Sequence, residues 1–288
     1  MAPNLRGALL MMASMAAFTL NDSLLKLTDG ALPLFQLLFL RGVLTTLLIF
    51  GLARSLGTIH FEISRRDWGL IVLRSLAEIG AAYFFLTALF SMPLANVTAI
   101  LQVLPLTVTL GSALFFGEAV GWRRMLAIFI GFSGMLLIVR PGPDGFNIFA
   151  LYALIAVVCV TVRDLSTRRL SSGVPSLTVT LTASLGITLF SGFASLGNEW
   201  MPVTLQQGAL VAGASVFILG GYLFSVLVMR IGDVSFVAPF RYSGLIWALI
   251  LGWFLFGDWP DALTLLGAAI VVATGLFTLY RERAALRG

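Results

Sequence analysis

Charged side chains are rare in this sequence, and several stand inside long apolar runs where an ionised group needs a reason to be. Glu78 sits mid-run, with Arg74 four positions earlier on the same face if the run is helical. Glu78 there is a contact for a substrate amine, a proton carrier, or half of a structural pair with Arg74 or Arg41. Asp22 and Arg41 fall toward matching ends of two neighbouring runs, roughly 8–12 Å from the membrane boundary at 1.5 Å per residue. They form either a clamp between adjacent helices, which Asn21 extends, or a gate that breaks and reforms. Arg241 offers a guanidinium fork for a carboxylate, or it snorkels to the nearer interface. Its neighbours Tyr242 and Trp247 present rings that could stack on an apolar or aromatic ligand.

Uncharged polar residues add to the set. Asn96, Thr98 and Gln102 share a run with Pro105, and Thr98 and Gln102 lie on one face. Pro105 removes a backbone donor and clashes with the carbonyl of Leu101, so the helix loosens there. An irregular helix beside a polar face can line a cavity, or it can serve helix–helix hydrogen bonding. Tyr83 and Tyr222 bring hydroxyls near the centre of their runs. Gly208, Ala212, Gly213, Gly220 and Gly221 suit close helix packing, and Gly220-Gly221 would also permit a bend.

Other chemistries are excluded by what is missing. Cys159 is the only cysteine and His60 the only histidine, so no internal disulfide, cysteine metal cluster or catalytic zinc site is expected. Neither His-Glu-x-x-His nor Gly-x-Ser-x-Gly occurs, and no Walker-type loop is present. No cofactor, no metal and no enzymatic activity are therefore expected, and direct use of ATP is not. The net charge of +5 does not imply nucleic acid, because in a membrane chain the distribution of basic residues matters more than their sum.

The elements that position these residues are transmembrane helices. Of the 288 residues, 59% are hydrophobic and 11% charged, against roughly 25% charged in soluble domains; the mean hydropathy is +1.01. Ten spans are expected, at 6–27, 33–54, 68–90, 93–116, 122–139, 147–168, 176–196, 206–229, 234–256 and 260–280. Breakers such as Asp29-Gly30, Pro33, Pro93, Pro141-Gly142-Pro143, Pro175, Pro202 and Pro260 separate them. The first span is expected to stay, since Asn21-Asp22 interrupts where a signal-peptide cleavage site would fall. With the N-terminus inside, thirteen arginines, Arg163 among them, fall in inner segments, and the outer loops hold only Lys26 and Arg140. That bias places both termini in the cytoplasm. Trp68 and Trp122 mark inner boundaries, Trp200 and Trp259 outer ones.

The halves repeat. A shift of 142 pairs Asp22 with Asp164, Lys26 with Arg168 and Pro33 with Pro175; a shift of 140 pairs Phe116-Gly117-Glu118 with Phe256-Gly257-Asp258; a shift of 141 pairs Gly134 with Gly275. The expected units are 1–142 and 143–288, five spans each. An odd number inverts the second half, and inverted repeats are typical of secondary carriers.

The stretch from Pro105 to Phe116-Gly117-Glu118, followed by a helix with Gly131 and Gly134, resembles the signature near the end of each EamA-type repeat. The second copy ends in Phe256-Gly257-Asp258, is followed by Gly267 and Gly275, and carries Leu245 where the proline would lie. The chain is thus similar over nearly its full length to ten-helix members of the drug/metabolite transporter superfamily. Asn21-Asp22-Ser23, Leu40-Arg41-Gly42 and Phe240-Arg241-Tyr242 resemble the YddG-type amino-acid exporters within it. The resemblance implies an all-α polytopic protein of a bacterial inner membrane, acting as a monomer or a dimer among lipids. It would export small metabolites, foremost amino acids and among them aromatic ones, by alternating access of two halves about a central cavity. A nucleotide-linked metabolite, S-adenosylmethionine or a cationic drug is the alternative substrate class; a channel or an intramembrane enzyme is a remote one. Intramembrane charges of both signs suit a zwitterion.

Overall fold

Prolines and glycines punctuate the apolar runs, and the helices begin and end where they fall. A computed structural model describes residues 3–28, 30–57, 62–117, 121–140, 147–171, 173–231 and 237–285. His60, Glu118, Ser235 and the Pro141-Gly142-Pro143 turn lie outside the described residues. The helices are α1 (Pro3–Lys26), α2 (Leu34–Ser55), α3 (Arg65–Ser91), α4 (Leu94–Leu101), α5 (Leu104–Phe116), α6 (Trp122–Val139), α7 (Ile148–Arg168), α8 (Ser176–Ala194) and α9 (Leu205–Ile231). A 3-10 turn (Ala238–Tyr242), α10 (Ser243–Leu251) and a π turn (Gly252–Phe256) then form one interrupted span, and α11 (Ala262–Ala285) closes the chain. Among the described residues nine helical segments are long and apolar enough to cross a membrane, α4 and α5 counting as one; Met125–Val139 in α6 is a shorter apolar helix. Large apolar side chains such as Phe115, 75% exposed, Phe193 and Leu205 cover the outside. In water that surface would aggregate; in lipid it is the solvated face.

Local sequence explains the interruptions. Pro105 stands in the first turn of α5, so the fourth span breaks at Gln102-Val103. Pro239 opens the 3-10 turn of the ninth span in the same manner. Both interrupted spans end on a left-handed glycine, Gly117 at φ 67° and Gly257 at φ 69°, which any Cβ would strain. The Phe-Gly-acid triplet therefore stops a helix in each half. By contrast α9 runs unbroken through Gly220-Gly221, and Gly221 instead admits the ring of Phe18.

The principal helix pairings all join one half to the other. The most extensive are α1 with α9, α3 with α7, α6 with α11 and α2 with α8. Exchanging the halves turns the first pair into the second and each of the others into itself. The side chains obey the same exchange. Thr46 and Thr188, 142 positions apart, share a hydrogen bond of 3.2 Å at the α2–α8 crossing. Apart from that exchange, Gly131 on α6 receives Leu106 from the fourth span, and Gly275 on α11 receives Tyr242 from the ninth. The protein is thus two inverted five-span repeats whose sequence halves are interlocked. A motion that swung residues 1–142 rigidly against the rest would break its largest interfaces.

The ends of the two interrupted spans are pinned by cations. Lys26 Nζ donates to the carbonyls of Leu89 (2.6 Å) and Met92 (2.7 Å) at the end of α3 and lies 5.5 Å from the Phe256 ring centroid. In the other half Arg168 donates to Ser112 Oγ (2.5 Å), and the Arg169 guanidinium stands 4.0 Å over Phe116. Charged donors suit helix C-terminal carbonyls. Lys26→Met keeps the apolar stem but leaves those carbonyls without their cation, at a cost of about 1.5–3 kcal/mol. A lowered unfolding midpoint in detergent is the expected result, against an unchanged midpoint if the lysine merely snorkels. Outside the spans, Asp261 caps α11 by accepting from the Thr264 amide (2.9 Å) and pairs with Arg140 at the end of α6. The amide and the guanidinium hold its carboxyl below the usual carboxylate range.

Candidate functional site

Glu78, at mid-height of α3, is the hub of a charged cluster. Its nearest cation is Arg163 on α7, with Nη1 3.3 Å from Oε1, and Arg74 Nη2 lies 3.8 Å from Oε2 along α3 itself. Arg74 also donates to Thr167 Oγ1 at 3.0 Å and to the Val179 carbonyl at 3.4 Å, tying α3 to α7 and α8. Arg163 donates through Nε to Asp164 at 2.9 Å. The Glu78, Arg163 and Asp164 side chains keep 12%, 22% and 26% of their accessibility, so the cluster is not sealed by the helices around it.

Asp22 and Arg41 complete it from α1 and α2. Asn21 Nδ2 donates to Asp22 Oδ1 at 2.9 Å. Asp22 and Arg41 attract one another electrostatically, but no ion pair within bonding distance joins them among the described residues. Tyr222 on α9, its ring edge-on to Phe18 at 5.5 Å, is within electrostatic reach of Glu78, Arg163, Arg74 and Arg41. Three carboxylates thus face three guanidiniums beside one phenol. Exchange of the halves relates Asn21-Asp22 to Arg163-Asp164, and in both pairs the first side chain donates to the second.

The sequence picks out Glu78, Arg74, Asn21, Asp22, Arg41 and Tyr222 singly, and the structure assembles them. It adds Arg163 and Asp164. Arg163 counts with the inner-boundary arginines in the sequence; here it stands inside α7, paired toward the bundle, and is not part of the positive-inside bias. The 142-residue shift that matches Asp22 to Asp164 carries the signal for it, because the same shift sets Arg163 opposite Asn21.

The remaining candidates lie elsewhere. Tyr83 stacks on Phe35 at 5.9 Å, within a row of rings running from Phe190 through Phe35, Tyr83 and Phe84 to Tyr152. Gln102 is buried at the α4–α5 break, its Nε2 3.7 Å from where a Cβ on Gly244 would sit, beside Met15. Thr98 on α4 and Trp247 on α10 belong to this second region, where α4 packs on α10. The Trp247 Nε1 and Asn96 Oδ1 are buried there without a protein partner. Arg241 and Tyr242 join neither group. Arg241 is exposed on the 3-10 turn, and Tyr242 is buried against Gly275 with its hydroxyl unpartnered. The 3-10 turn that carries them is not visible in the sequence.

Among the described residues no group of His, Cys, Asp and Glu could hold a metal ion. What the cluster can do is bind: carboxylates for an amine, guanidiniums for an acid. Buried ion pairs roughly break even against apolar packing, so stability alone does not account for six charges here.

Known proteins agree with this reading of the fold. The chain is 27% identical over 274 residues to a pseudopaline exporter of Pseudomonas aeruginosa, covering 92% of this chain and 93% of that one. It is 29% identical over 276 residues to a riboflavin transporter of Vibrio cholerae, covering 95% and 92%. It is 25% identical over 278 residues to an S-adenosylmethionine uptake transporter of Rickettsia bellii, covering 95% and 93%. A solved crystal structure superposes with a TM-score of 0.68 at 18% identity, over 95% of this chain and 96% of that one, so the fold itself has been seen before. The EamA-like family model matches twice, at residues 5–140 and 147–280, once on each of the interlocked halves. An integral membrane bundle of two such repeats around a charge-balanced cluster belongs to the EamA-like transporter family.

Proposed function

We propose that this chain is a secondary carrier that exports small zwitterionic metabolites, foremost amino acids and among them aromatic ones, across a bacterial inner membrane by alternating access. The observation that carries the reading is the Glu78–Arg163 contact between α3 and α7, at the centre of a cluster with equal numbers of both charges. A net-neutral pocket with separated charges favours a ligand that is itself neutral with separated charges. A lone cation or anion would leave an opposite charge uncompensated in a medium of low dielectric. No covalent step is needed: the carrier requires only two conformations and a ligand bound in both.

Residues 1–142 and 143–288 are the two repeats, and both termini are cytoplasmic, as the arginine bias supports even without Arg163. The acting unit is one chain, since each repeat supplies the other's main helix partners. The named substrates of the relatives support a second reading, a carrier for a larger nitrogenous metabolite. Counterflow in proteoliposomes decides between them, using labelled amino acids, nucleoside derivatives and organic cations. The first reading expects saturable, trans-stimulated exchange of an amino acid. Exchange confined to a nucleoside derivative or cation would favour the second, and non-saturating ion current would contradict both.

A further inference from the structure

Arg41 differs from the other guanidiniums of the cluster. Arg74 and Arg163 spend their N–H groups on carboxylates, a hydroxyl and a backbone carbonyl. Arg41 is only 9% exposed, yet among the described residues its guanidinium donates no hydrogen bond to any protein group and lies in no ion pair. The backbone beside it is closely packed: Gly42 sits directly under Thr188 of α8, and Ser215 Oγ on α9, which donates to the Val211 carbonyl at 2.8 Å, lies 3.5 Å from the Arg41 carbonyl. Across from it Asp22, among the described residues, accepts from Asn21 alone, and the Asn21 side-chain oxygen, Oδ1, is buried without a partner. Opposite charges on α1 and α2 are thus within electrostatic reach of one another without closing into an ion pair. The Arg41 guanidinium nitrogens are not among the fully buried atoms that lack a partner, so a fork spent on no protein group is open to a ligand from outside the chain.

We infer that this open pair is the substrate's binding point, with the Arg41 guanidinium taking the α-carboxylate and Asp22 the ammonium of an amino acid. The inference rests on the carrier reading and names the residues that recognise its substrate. The planar fork of Arg41 matches a carboxylate through two parallel hydrogen bonds, which a lysine cannot reproduce. Glu78, already held by Arg163 and Arg74, is a positioning residue that keeps α3 against α7.

The experiment compares L-phenylalanine, phenethylamine and 3-phenylpropanoate in counterflow, with thermal unfolding of the same purified protein. Wild-type protein exchanges phenylalanine and discriminates against both analogues, each of which lacks one of the two charges. Arg41→Lys raises KM roughly tenfold or more while kcat changes less, because charge is kept and the fork is lost. Arg41→Gln loses transport on the order of a hundredfold and no longer separates phenylalanine from phenethylamine. Its unfolding midpoint stays level or rises, since an unpaired buried charge has been removed. A midpoint that falls together with transport would overturn the assignment and make Arg41 a structural clamp. Wild-type exchange of phenethylamine as fast as phenylalanine would also overturn it, while leaving the carrier reading intact. Absence of counterflow for every compound tried would overturn the carrier reading first and the assignment with it.

Discussion

Glu78→Gln lowers both the stability and the transport rate, and it does so through Arg163. The amide keeps the shape of the side chain but no longer neutralises the guanidiniums of Arg74 and Arg163, 3.8 and 3.3 Å away. Removing one partner of a buried pair costs about 3–5 kcal/mol. Arg163 retains Asp164 at 2.9 Å, which places the expectation near the lower end. Arg163→Met alone should cost less, because Glu78 keeps Arg74. Combining the two changes removes the stranded charge with its partner, so the double variant should be more stable than the sum of the single losses predicts. The coupling expected from residues in direct contact is roughly 0.5–3 kcal/mol. Thermal unfolding followed by labelling of the single thiol, Cys159, gives all the midpoints of this cycle. Additive losses would mean that the contact between α3 and α7 does not hold the cluster.

Gly267→Val has the second large effect, and it is a matter of packing. At the α6–α11 crossing Gly134 and Gly267 face one another. A Cβ on Gly267 would lie 2.5 Å from the Gly134 carbonyl oxygen, and one on Gly134 would lie 2.9 Å from the Gly267 carbonyl oxygen. Backbone cannot yield as a side chain can, so the helices must part. Overpacking of this kind costs about 1–3 kcal/mol. Helix propensity pushes the other way by up to about 1 kcal/mol for Gly to Ala, and a β-branched valine recovers less of it. The clash should therefore win. Gly51 on α2 and Gly69 on α3 have nothing within 4 Å of an added Cβ, so Gly51→Ala and Gly69→Ala should be neutral or stabilising. Opposite signs at the two kinds of glycine are the expected outcome. A uniform gain across all of them would show that helix propensity, and not close approach, decides.

The repeat was the most legible feature of the sequence. Shifts of 140 to 142 residues predicted a symmetry that the structure displays in Thr46 with Thr188, and in the two left-handed glycines that end the interrupted spans. The cause is that helix-ending and helix-crossing positions demand particular residues, and those demands recur in both copies. The interlocking of the halves was not legible, because hydropathy reports which segments meet lipid and not which helix each one meets. The same limit hid Arg163. Its place near a helix end reads as a boundary charge, and only the approach of α3 to α7 turns it inward. For Arg241 a one-dimensional span does not carry the 3-10 turn on which the structure places it.

Saturable counterflow of an amino acid in proteoliposomes tests the central claim most directly, measured for the wild-type protein beside Glu78→Gln and Arg41→Gln. The account predicts trans-stimulated exchange in the wild type, with the losses concentrated in the two cluster variants. Arg241→Gln, outside the cluster, should leave the exchange near wild type. Exchange that survives both cluster substitutions but disappears with Arg241→Gln would contradict it, because the substrate would then bind where the charges of α1, α2, α3 and α7 do not reach.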